Sequence, residues 1–392
     1  MRLSRNRDFV LFQAGQLLSS AGSSISAIAY PLVVLSITHS AAKAGVVGFA
    51  ALLPTPLLSL VAGVAADRYD RRTIMLGADV LRALVVAAIA VVVATTSTYY
   101  PIPILAFVSG IGDVFFYACS FGVVRSVVPA EQLPDAISVQ TARAATVGVV
   151  GPPIGGVLFG IARVVPFVAD AVSYTFSFLS LAAIRAPFQE ERGPGPRHLR
   201  TELREGFAFL WQQPFLRATS FVYAVGNLTE PAILLVLVVD ARRHGLTGGE
   251  IGLLLGVFAA CVLVGSGLAP LVRRRLSVRA IVLCEVYLGT VVLLFVAWPN
   301  VYVLAAAILP QAVVFPITDS VVFSRRIAVT PDRLLGRVDS VRILIARTAQ
   351  PLGPLLGGLA ISLASARVAV GVFATINLAS AVIATRVRSL ST

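Results

Sequence analysis

The chain has 392 residues, 57% of them hydrophobic and 13% charged, with a mean hydropathy of +0.88 and a formal net charge of +13. A water-soluble domain carries about 25% charged and about 45–50% apolar residues, so no soluble fold would hide this surplus and the bilayer must be the solvent. The basic excess does not mark a nucleic-acid binder: the arginines stand in short clusters between long apolar runs, with no basic stripe on a folded face.

Crossing the hydrocarbon core takes about 20 mostly apolar residues. In chain order such runs fall at 9–37, 41–66, 74–95, 101–124, 136–162 and 165–185, then at 215–240, 248–272, 277–297, 301–324, 337–365 and 367–387. The first is preceded by Arg2, Arg5 and Arg7, as a signal peptide would be, but it is too long for a signal core and reads as a retained helix. With the N-terminus inside, 22 of the 32 basic residues fall in inner segments; the outer ones hold only Lys43, Arg163, Arg242, Arg243 and Arg367. That bias places both termini in the cytoplasm of a multi-pass cell-membrane protein, and an odd number of spans would spoil its alternation.

The pattern predicts an all-α membrane protein of twelve transmembrane helices in two pseudo-symmetric six-helix bundles, 1–186 and 215–392. Between them, 187–214 is the one substantial polar stretch, a cytoplasmic linker that begins Gln189-Glu-Glu-Arg-Gly-Pro-Gly-Pro-Arg197. Its second part puts Leu203, Phe207, Leu210 and Trp211 on one helical face. That face suits either an amphipathic helix lying on the leaflet or a turn packed against the bundle.

Enzyme chemistry has no purchase here. Cys119, Cys261 and Cys284 lie in apolar runs without metal-ligand spacing, and His39, His198 and His244 are isolated. The single lysine, Lys43, stands between Ala42 and Ala44, so no Gly-Lys-Ser/Thr phosphate loop exists. Neither metal nor cofactor is expected.

Shifting the chain by 202 residues lays 129–158 over 331–360 without a gap, with ten identities. Among them are Gly151/Gly353, Pro152/Pro354, Gly155/Gly357 and Gly156/Gly358, which apolar composition alone does not explain. A six-helix unit repeated in parallel orientation is a transporter architecture, with the binding site between the repeats.

Between spans 2 and 3 stands Gly63-Val-Ala-Ala-Asp67-Arg68-Tyr-Asp70-Arg71-Arg72. The small residue admits close helix approach, and an acid beside a basic pair can lock one conformation and release it in another. This segment resembles the signature loop of the major facilitator superfamily, with Asp70 where the family's usual glycine precedes the basic pair. The repeated Gly-Pro-x-x-Gly-Gly of spans 5 and 11 resembles the motif associated with exporters, notably drug–proton antiporters; its other reading is a helix crossing without directional meaning. Leu203-Arg-Glu205-Gly206-Phe with Pro214-Phe-Leu-Arg217, and Arg125-Ser-Val-Val-Pro129, are similar to exporters related to the enterobactin exporter and macrolide efflux proteins. Helix 1 departs from many of those relatives by carrying Ser23 in place of an acid.

Ionisable residues inside spans are costly and by default suggest function. Asp79, Arg82, Arg143, Glu285, Asp319, Arg342 and Arg347 fall in cytoplasmic halves, where they form either an inner gate or a static network. Asp113 and Glu230 sit near mid-depth, and Asp170 near the outer face. The family resemblance places helices 1, 4, 7 and 10 around the cavity. It therefore selects Glu230, Asp113 and Asp319 as proton-coupling or cavity residues, with Phe115, Phe116, Tyr117 and Asn227 nearby, and sets Asp79, Arg82, Asp170 and Glu285 aside. The conformational gate is expected at the signature-loop residues Gly63, Asp67, Arg68, Arg71 and Arg72, with Arg143 and Arg347 from the cytoplasmic-half charges. The resulting expectation is a monomeric secondary transporter exchanging a small amphipathic molecule for protons. An importer, or a transport-inactive membrane sensor, remains the alternative.

Overall fold

The computed structural model describes residues 3–96, 98–188 and 199–387. The expected stretch 189–197 lies outside them. Sixteen α-helices follow: α1 Arg7–Thr38, α2 Ala41–Leu52, α3 Pro54–Arg68, α4 Arg71–Thr95, α5 Pro101–Val127, α6 Leu133–Ile161, α7 Val165–Ala183, α8 Leu199–Gln212, α9 Pro214–Arg243, α10 Gly248–Val272, α11 Val278–Leu288, α12 Leu293–Ala297, α13 Val301–Val329, α14 Leu335–Thr348, α15 Leu352–Leu363 and α16 Ala366–Arg386. Among the described residues, eleven continuous segments are long and apolar enough to cross a membrane, α2–α3 and α11–α12 each counting as one.

The expected unbroken span at 337–365 needs correction, for it is two helices, α14 and α15. Its repeat partner α6 runs through Pro152 and Pro153 without interruption. In the second copy Pro351 stands where the first has Val149. Proline offers no N–H to the carbonyl one turn back and its ring crowds that carbonyl, so the ladder stops at Thr348 and restarts at Leu352.

The chain divides into two compact units, Met1–Gly193 with Gly245–Val257, and Pro194–His244 with Phe258–Thr392. In the first, α1 packs along α7 and α6, and α4 along α5 and α7. The α1–α7 contact is built from small residues. Gly15, Ser19, Gly22 and Ser26 form a buried stripe on α1, and Cβ atoms at Gly15 and Gly22 would meet Ser180 and Ser173. Small residues bring backbones close where hydrocarbon supplies no hydrophobic drive. Asn6 caps α1 by accepting from Phe9 and donates to the Val127 carbonyl at 2.9 Å, tying the start of α1 to the end of α5.

In the second unit α9 packs on α14, α15 and α16. Thr229 donates to Asn377 at 3.0 Å, and Asn377 donates to the Gly289 carbonyl at 3.2 Å. One amide thereby joins α9 and α16 to the carbonyl at the end of α11. Helix α8 packs on α14: Gly206 sits against the Arg337 backbone, Leu210 is buried, and Glu205 pairs with Arg337. Phe207 and Trp211 remain exposed, stacked at 5.6 Å. One edge of α8 is therefore packed on α14, and the edge bearing Phe207 and Trp211 is free.

Candidate functional site

In the first unit the charges inside the spans converge. Arg82 of α4 is buried, donating to Asp113 of α5 at 2.9 Å and pairing with Asp79 one turn earlier on α4. Its guanidinium also lies over Phe116 and Tyr174, 4.3 Å and 4.4 Å from the ring centroids. Asp79 is fully buried, whereas the Asp113 side chain is 54% exposed. Two carboxylates around one guanidinium leave a net charge of −1 when all are ionised, with the exposed arm at Asp113. Ser177 of α7 stands beside the Asp79 carboxylate, and Arg82 Nε has no hydrogen-bond partner in the protein.

A third acid lies beside this cluster. Asp170 of α7 accepts from Ser26 of α1 and from Ser173 one turn along α7. Ser23 shares a 2.9 Å hydrogen bond with the Tyr174 hydroxyl. Gly22 makes room for this arrangement, since a Cβ there would press on Ser173 and Asp170. Asp170 thus brings a carboxylate of α7 to the surface of α1 beside Ser26.

In the second unit Tyr223 of α9 donates to Asp319 of α13 at 3.0 Å, and Arg342 lies over the Tyr223 ring. Arg342 also bonds Asp339 at 3.2 Å, as does Arg326 at 2.8 Å. Glu230 and Asp319 are exposed, while Glu285 of α11 is buried. Asn227 donates to the Tyr223 carbonyl at 2.8 Å.

At the signature loop, Asp67 and Arg71 are 3.8 Å apart, and Arg71 donates to the Ala66 carbonyl at 3.2 Å while lying against Gly122 of α5. Arg72 donates to the Ala182 carbonyl at the end of α7 and covers the Phe188 ring. Asp70 caps α4, accepting from the Thr73 N–H at 2.9 Å and the Thr73 hydroxyl at 2.7 Å. Desolvation, the largest single influence, works to raise its carboxyl pKa, but the bonds from Thr73 and the Arg72 backbone, with the Arg72 charge, together outweigh it and hold the group below its ordinary value. At Gly63 an added Cβ would meet open space in this structure. Arg68 and Arg347 are exposed, and Arg143 donates to Gln13 of α1 at 3.0 Å.

The duplicated glycine motif builds a duplicated contact. Gly151 and Gly155 of α6 abut Ser24, Ile25 and Ile28 of α1, and Gly353 and Gly357 of α15 abut Leu228 and Ala232 of α9. In the first copy Gly156 faces a further helix, meeting the Gly248 carbonyl, with Gly252 and Gly256 on Pro152 and Pro153. Those α10 residues belong to the first unit. Pro354 and Gly358 are buried.

The sequence profile of the transmembrane secretion effector family matches residues 4–391. The chain belongs to this family of major facilitator transporters. The multidrug efflux pump Tap of Mycobacterium tuberculosis is 27% identical over 386 residues, covering 91% of this chain and 88% of Tap. Macrolide efflux protein A of Streptococcus pyogenes is 26% identical over 367 residues, covering 90% and 88%. In fold, a bacterial homologue of the iron transporter ferroportin, solved inward-facing, matches with a TM-score of 0.77 over 100% of both chains at 17% identity. A bacterial homologue of the lysosomal transporter Spinster matches at 0.73 over 99% and 96%, at 12% identity.

This secretion effector is therefore a membrane transporter and not an enzyme. Its sequence resemblance to macrolide efflux proteins stands. Sequence reasoning set Asp79 and Arg82 aside, yet they are the partners that hold Asp113. The i,i+3 spacing of Asp79–Arg82 and of Asp339–Arg342 was the available signal, since such pairs share a helix face. Tyr223–Asp319 had no such signal, because 96 residues separate the two.

Proposed function

We propose that this transporter exports small amphipathic molecules, preferentially cationic ones, in exchange for protons by alternating access. It works as a monomer with both termini in the cytoplasm, its moving parts being the six-span halves 1–186 and 215–392 joined by the linker 187–214. The observation that carries the export reading is full-length kinship to two named efflux proteins, each matched over nine-tenths of this chain. The exposed carboxylates Asp113, Glu230 and Asp319 support proton exchange against a cation. An acid in a bilayer-spanning helix is expensive unless it has work to do. Glu230 is the first choice as proton carrier because Pro231 follows it inside α9 and removes a backbone donor beside it.

The test is uptake of a macrolide and of a cationic dye into inside-out vesicles with an imposed pH gradient. Wild-type protein accumulates both, and Glu230→Gln keeps substrate exchange but loses gradient-driven accumulation. Wild-type behaviour of Glu230→Gln transfers the role to Asp113. Absence of gradient-driven uptake of either probe by the wild type overturns proton-coupled export of this substrate class.

A further inference from the structure

The second unit carries an apolar cavity of about 310 Å³ that belongs to none of the charged clusters described above. It lies where α8, the first turns of α9, α14 and the last turns of α16 meet, lined by Trp211, Arg217, Ser220, Phe221, Ser380 and Ile383 among others. The size is at the lower end of ligand pockets, which occupy roughly 300–1,000 Å³. Ser220 and Ser380 are 3% and 2% exposed, and neither hydroxyl has a protein partner. Buried hydroxyls without a bond are uncommon and ask for one. At the rim, Arg217 is exposed, spending one 3.5 Å bond on the Trp211 carbonyl with its guanidinium over the Trp211 ring. Two more arginines stand at this end of the unit: Arg386 in the last turn of α16, and Arg279, which donates to the Thr385 carbonyl at 2.7 Å. The nearest acid on α8, Glu205, is engaged by Arg337.

We propose that this cavity is a specific site for one anionic phospholipid. An acyl chain fills the apolar pocket beside Phe221 and Ile383, the ester region meets Ser220 and Ser380, and the phosphate sits on Arg217. Charge decides the occupant. An arginine rim repels the cationic molecules proposed above as cargo and attracts an anionic headgroup, at about 1 kcal/mol per arginine near a membrane surface. The exposed Phe207–Trp211 stack on α8 gives the aromatic anchoring typical of the headgroup level. The site goes beyond the transport reading and stands whether or not protons drive export.

The test is native mass spectrometry of the purified full chain titrated with phosphatidylglycerol or with phosphatidylcholine of the same acyl chains. The wild type retains a single phosphatidylglycerol in preference to phosphatidylcholine. Arg217→Gln weakens that binding about fivefold, one arginine's worth. Ile383→Trp fills the cavity mouth, leaves Arg217 in place, and abolishes the adduct, whereas Arg242→Gln, outside the cavity, leaves it intact. Thermal unfolding of each variant shows that the fold is kept. Equal retention of the two lipids by the wild type, or wild-type binding by Ile383→Trp, overturns the site. Displacement of the lipid by millimolar inorganic phosphate overturns the lipid as ligand in favour of a soluble anion.

Discussion

Arg82 and Asp113 join α4 to α5 through a 2.9 Å hydrogen bond in which one partner is buried and the other half-exposed. The asymmetry separates structure from function. Removing Arg82 strands Asp79, which has no exposure, and breaking a buried pair from one side costs about 3–5 kcal/mol. Arg82→Met is expected to lower the thermal midpoint sharply, and the double variant Asp79→Asn/Arg82→Met to recover most of the loss. Asp113→Asn leaves Arg82 compensated by Asp79, so it is expected to unfold near the wild-type midpoint while vesicle flux falls. A stable Arg82→Met protein contradicts the burial described for the pair.

The two acids of the signature loop have different tasks. Asp67 pairs loosely with Arg71, and Asp67→Asn is expected to cut vesicle transport at unchanged membrane expression; normal flux would reduce it to a surface charge. Asp70 is a helix cap, and Asp70→Ala is expected to cost about 1 kcal/mol at neutral pH. Because its folded pKa lies below the unfolded value, the cap's contribution is present above the ordinary carboxylate range and fades as pH falls through the folded value. The midpoints of wild type and Asp70→Ala should therefore converge at low pH and differ at pH 7.

The glycine motif makes a graded prediction about space. A Cβ at Gly156 or Gly353 meets backbone carbonyls, and one at Gly151 meets the Ser24 Oγ and Cβ, the latter fixed to its backbone, so none of the three neighbours can turn aside. Alanine at 151, 156 or 353 is expected to cost about 1–3 kcal/mol. Gly63→Ala and Gly160→Ala, with open space, should unfold like the wild type. Fluorescence-detected thermal unfolding ranks the series, and a destabilised Gly63→Ala would show a contact that this structure does not contain.

The orientation rests on arginine placement and is read by labelling. In a cysteine-free background, a cysteine at Gly195 should escape an impermeant thiol reagent on intact cells, and one at the exposed Arg242 should react. Gly245 is the poorer outer position, because its φ of +83° strains any side chain. Labelling at 195 from outside would invert the topology.

The apolar runs and the register of 202 residues determined the membrane class and the duplicated helical plan, because both are linear properties of the chain. A span needs only enough consecutive apolar residues, and a repeat needs only matching order. Nothing linear set Pro351 apart from Pro152 and Pro153, which pass inside an unbroken α6. Which proline breaks a helix depends on whether neighbouring side chains take up the freed carbonyl, and that is a tertiary property. The charges followed the same division. The sequence by itself marked Asp79, Asp113, Asp170, Glu230, Glu285 and Asp319 as costly acids in the bilayer, and the family resemblance singled out Asp113, Glu230 and Asp319 among them. Only the folded structure joined Asp113 to Arg82 across two helices, brought Asp170 to the surface of α1 beside Ser26, and tied Tyr223 to Asp319. Electrostatic partnership is set by distance in space, and residues 31, 144 and 96 positions apart carry no trace of it in their order along the chain.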